Sequence, residues 1–62
     1  MPDYRIYCLD AAGNISFADW IIARDDDAAI EQARKLKHHG RICEVWHRTE
    51  LVATLGAHDL AN

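Results

Sequence analysis

Long apolar runs, cysteine clusters, internal repeats and a surplus of basic charge are all missing from this sequence. No stretch approaches the roughly 18 apolar residues that a membrane span needs, and no charged-then-apolar leader opens the chain. The expectation is a cytoplasmic protein with no membrane partner. Cys8 and Cys43 are the two cysteines, far apart and each within a run of β-formers. Disulfide scaffolds are cysteine-dense, so two buried, reduced thiols are expected. No C-x-x-C or H-x-x-x-H pattern occurs, and neither a cofactor nor a metal is expected. The net charge is −3 with histidine neutral. A general nucleic-acid binder would carry an overall basic field, which makes nucleic acid an unlikely partner.

What is present is a compact allowance of core-forming residues. The chain has 62 residues, 50% of them hydrophobic and 27% charged, the composition of a globular domain. A chain of this size buries only about 60% of the surface its unfolded form exposes. Small domains make up the difference with disulfides, a metal or a partner subunit. With the first two poorly supplied, the partner subunit remains.

The hydrophobic period changes twice along the chain. Tyr4 to Leu9 is rich in aromatic and aliphatic residues and reads as a strand. Asp10-Ala11-Ala12-Gly13-Asn14 supplies a hairpin built on a type I turn with a bulge, with a left-handed glycine at its exit, and Ile15 to Ala23 is the returning strand. Asp25-Asp26-Asp27 then opens a helix, one aspartate as cap and the others favoured by the helix dipole. Ala29, Ile30, Ala33 and Leu36 form its apolar stripe, Glu31 and Lys35 an i,i+4 pair, and Gly40 the stop. Arg41 to His47 and Leu51 to Leu55 are two further strands around the tight connection His47-Arg48-Thr49-Glu50.

This order predicts an α+β domain, ββαββ, with a four-stranded, mainly antiparallel sheet and one helix packed on one face. Residues 1–56 form the single domain, and 57–62 a flexible C-terminal tail. Strand order stays open at this point. Side chains two apart in a strand share a face. Alternation puts Tyr4, Ile6 and Cys8 opposite to Tyr7 and Leu9, and Ile15, Phe17 and Ile21 opposite to Trp20 and Ile22. It likewise divides Cys43 and Val45 from Ile42 and Trp46, and Leu51, Ala53 and Leu55 from Val52. Both faces are apolar, and one helix covers one of them.

The strand Tyr4 to Leu9 followed by Asp10-Ala11-Ala12-Gly13, the acidic helix start at Asp25 to Asp27, the Glu44-Val45-Trp46 strand and Leu51-Val52-Ala53 together carry a likeness. The chain resembles small alphaproteobacterial proteins of about this length that have a β-β-α-β-β pattern and no assigned activity. The resemblance spans nearly the whole chain. It implies a small bacterial cytosolic domain and transfers no functional residue.

Candidate chemistry is thin. Cys43 and His47 on one strand stand about 13 Å apart at about 3.3 Å per residue, too far for a nucleophile–base dyad. His38 and His39 read as favourable cations at a helix C-terminus rather than zinc ligands. The three aspartates lack the alternating pattern and distal glutamate of a calcium loop. The chain is therefore expected not to be an enzyme. Large aromatic residues dominate interfaces, so Tyr7, Leu9, Trp20, Ile22 and Trp46 are the interface candidates of a module that self-associates through the uncovered sheet face or a free edge, a homodimer or a receptor for an unidentified protein. Which face the helix covers, this group's or its complement's, stays open with the register. The alternative is a nucleic-acid or phosphate-binding regulator that uses Arg34, Lys35, Lys37 and Arg41 at the basic end of the helix.

Overall fold

The computed structural model describes residues 2–36 and 41–56. Asp10 organises the first reversal of the chain. Its carboxylate accepts from the amides of Ala12 and Asn14 at 3.0 and 2.9 Å, and its carbonyl accepts from the Gly13 amide at 3.0 Å. Gly13 sits at φ +86°, in the region that only glycine enters cheaply. The strands this turn joins are β1, Asp3–Leu9, and β2, Ile15–Ile22.

After β2 the Asp25 carboxylate accepts from the Ala28 amide at 2.8 Å and its carbonyl from Ala29 at 3.0 Å, so Asp25 is the N-cap. The helix α1 runs Asp26–Leu36. Ala29 and Ala33 are fully buried, with Ile30 and Leu36 packed beside them, which is the expected stripe. Glu31 pairs with Arg34 at 3.6 Å, one residue short of the expected Lys35. The expected stop at Gly40, with Lys37, His38 and His39, lies outside the described residues, as does the tail 57–62.

Two more strands follow, β3 at Ile42–His47 and β4 at Glu50–Leu55. The four form one antiparallel sheet in the order β2-β1-β3-β4, so the two hairpins meet through β1 and β3 and the α+β ββαββ fold stands. The helix covers one face of this sheet. Beneath it, Ile6, Cys8, Ile21, Cys43 and Val45 are at most 1% exposed.

Two findings differ from the alternation and cysteine readings. Single extra residues interrupt the pairing: Cys8 faces Phe17 but Leu9 faces Ile15, and Val45 faces Ala53 but Trp46 faces Leu51. Each extra residue, Ser16 and Val52, is a β-bulge that shifts the period by one. Ile15 and Leu51 therefore join the face opposite to the one strict alternation assigned them. The second correction concerns the thiols. Cys8 and Cys43 lie directly opposite each other on the central strands and form a disulfide, with Cα atoms 3.9 Å apart. Sequence separation concealed this, because the register of β1 against β3 is a tertiary fact.

Candidate functional site: the open face of the sheet

Directly opposed residues of an antiparallel sheet share a face, so the register assembles the uncovered side row by row. One row crosses all four strands as Trp20, Arg5, Trp46 and Leu51. The next is Ala18, Tyr7, Glu44 and Thr54, followed by Ile15, Leu9 and Ile42, with Ile22 opposite Asp3 at the other end. All five sequence-chosen candidates, Tyr7, Leu9, Trp20, Ile22 and Trp46, are brought together on this face. Ile15, Trp20, Ile22, Ile42 and Leu51 are 60, 57, 58, 48 and 49% exposed, and these are the exposed large hydrophobic residues among those described. Ile42 follows from alternation alone. Ile15 and Leu51 needed the bulges at Ser16 and Val52, which lie inside the strands and not at the Gly13 turn where the sequence placed one.

Polar groups are set between the apolar ones. The Arg5 guanidinium lies 4.0 Å from the centroid of the Trp20 ring and donates to the Tyr7 hydroxyl at 3.2 Å. Its long stem suits such a stack, where the ring quadrupole attracts the cation. The Trp46 indole N–H donates to Glu44 at 3.1 Å, a pair two apart on one strand and hence on one side. A hollow opens at the end of the face where β1 begins, β2 ends and the β3–β4 turn sits, with Arg5, Tyr7, Trp20 and Arg48 in its wall. Arg48 holds φ +58°, left-handed for a residue that is not glycine.

Among the described residues, the clearly perturbed titratable group lies on the covered side. The Tyr4 hydroxyl donates to Asp26 at 2.7 Å, tying β1 to the first turn of α1, and its ring meets His47 at 4.8 Å between centroids. That hydrogen bond, then burial, then the negative charges of Asp26 and Asp25 push the phenol up to about 12. The group holds a proton firmly and acts as a strut, not as an acid or base near neutrality.

The basic end of the helix is less of a unit. Arg34 pairs with Glu31, Lys35 is exposed, and Arg41 donates to the Ser16 hydroxyl on β2. Lys37 lies outside the described residues. Cys43, once joined to Cys8, presents no thiolate to attack a substrate or hold a metal. Among the described residues no three histidine, cysteine, aspartate or glutamate side chains converge, and no helix is long and apolar enough to cross a membrane. No family model, no curated protein and no solved structure matches the chain.

Proposed function

We propose that this protein is a small non-catalytic interaction module that pairs with a second copy of itself through the open sheet face. The observation that carries this reading is the gathering of Ile15, Trp20, Ile22, Ile42 and Leu51 on that one face, each between 48 and 60% exposed. Covering a half-exposed side chain of this size contributes on the order of 1 kcal/mol before association entropy is subtracted. A two-fold pairing applies the same patch twice. Face pairing is favoured over edge pairing by Asp19. On the edge strand β2 its carboxylate accepts from the Trp20 amide at 2.8 Å, occupying a group that strand addition would use.

A cytosolic setting, expected from the sequence, sits uneasily with the Cys8–Cys43 disulfide, because cytosolic thiols are kept reduced. The phosphate-binding alternative at Arg34, Lys35, Lys37 and Arg41 has less support, since Arg34 and Arg41 already have partners within the chain.

Sedimentation analysis across the micromolar range tests the main reading. The mass is expected to rise with concentration for the natural chain, and Trp20→Ser and Trp46→Ser are expected to move it toward the monomer. A folded monomer at every concentration would sink the proposal.

A further inference from the structure

We infer a single-stranded nucleic-acid site at the hollow where the open face ends, with unpaired bases stacking on the Trp20–Arg5 layer and backbone phosphate held by Arg48. The inference is independent of self-association, although the two share Trp20 and so compete for it. Three observations carry it.

The first is the stack itself. Trp20 is 57% exposed and Arg5 lies over its ring at 4.0 Å. Unpaired bases stack on both aromatic rings and arginine guanidinium planes, so this layer offers a platform of either kind. The row continues across the sheet to Trp46, opposite Arg5 on β3. Successive stacking surfaces suit a strand with several bases better than a single nucleotide.

The second is charge. Arg5 bonds Tyr7 and the Trp20 ring, and among the described residues neither Arg5 nor Arg48 forms a salt bridge with a carboxylate. Asp3 is the acidic residue in the same wall. Against it stand the two arginines, and the hollow is locally cationic in a chain of net charge −3. Anions are therefore drawn to this end rather than to the molecule at large.

The third is the backbone of Arg48. A residue with a Cβ at φ +58° is disfavoured against glycine or asparagine, the usual occupants of such a turn. Strained conformations of this kind gather where a side chain has work to perform. Here the turn projects beside the hollow that the Trp20 stack lines. Duplexes keep their bases paired and stacked, so they cannot use the indole, and recognition falls to single strands.

Fluorescence anisotropy of a labelled single-stranded adenine octanucleotide is the test, at protein concentrations where sedimentation shows monomer. Saturable binding is expected, with Trp20→Ala weakening it about tenfold. Arg48→Gln, at an exposed position, is expected to lower affinity and reduce the slope of log affinity against log salt by about 1. A duplex of matched length and adenosine monophosphate are the competing probes, both expected to bind at least about tenfold more weakly because one lacks free base faces and the other repeated stacks. No saturable binding, equal binding of the duplex, or an Arg48→Gln variant indistinguishable from the natural chain would each overturn the inference. None of these outcomes bears on concentration-dependent mass measured without the strand.

Discussion

Asp25 and Tyr4 show how single side chains anchor the helix to the sheet. Asp25 satisfies the Ala28 amide at the open end of α1, and removing an N-cap of this type costs about 1 kcal/mol. Asp25→Ala is expected to lower the urea midpoint accordingly without changing its slope. Tyr4 carries a pH dependence of known sign. Its proton is held more tightly in the folded chain, up to about 12 against an ordinary 10.0. The stabilisation is thus complete below about pH 10 and is lost as pH rises toward about 12. Tyr4→Phe is expected to be less stable at neutral pH, from the lost hydrogen bond to Asp26. Its urea midpoint is expected to fall less than that of the natural chain between pH 10 and 12, the window set by the shift. Parallel curves for the two proteins across that window would refute the assignment.

At the scale of elements, the two hairpins depend on different turn chemistry. The β1–β2 reversal places glycine where φ is +86°, and a Cβ built there meets nothing within 4 Å. Gly13→Ala therefore pays no steric clash with neighbours, only the intrinsic cost of a left-handed backbone, about 1 kcal/mol. A thermal melt measures it, and an unchanged midpoint would show that the turn adopts another conformation. The β3–β4 turn instead keeps Arg48 at φ +58°. Its first strand pairs with the centre of the sheet and its second forms an edge, so the whole second hairpin depends on β1 for its place.

For the molecule as a whole, the cross-link between the two central strands matters most. It joins residues 35 positions apart and so closes a loop that spans β2 and α1. Closing a loop of this length contributes about 3–4 kcal/mol by restricting the unfolded chain, a large share of what a small domain possesses. Thiol titration of the unreduced protein in denaturant is expected to find no free cysteine. Reduction is expected to lower stability by about 3–4 kcal/mol, read from the shift in urea midpoint. Two free thiols before reduction would overturn the pairing. Both cysteines face the helix, so the open face keeps its side chains whichever redox state holds the sheet.

Period, caps and turn residues are local properties, and they were legible because each depends on neighbours within a few positions. The Asp-x-x-Gly reversal, the Asp25 cap, the Ala29–Ala33 stripe and, within single strands, the pairing of Tyr7 with Leu9 and of Trp20 with Ile22 on one side all belong to that level. The strand order β2-β1-β3-β4, the bulges at Ser16 and Val52, and the meeting of Cys8 with Cys43 depend on which strands pair and in what register. Register is decided by the burial of a shared core, a free energy that belongs to residues distant in sequence. A shift of one residue turns a side chain from one face to the other. For that reason Ile15 and Leu51 reach the open face, and Arg5 comes to lie between two tryptophans, only in the folded chain.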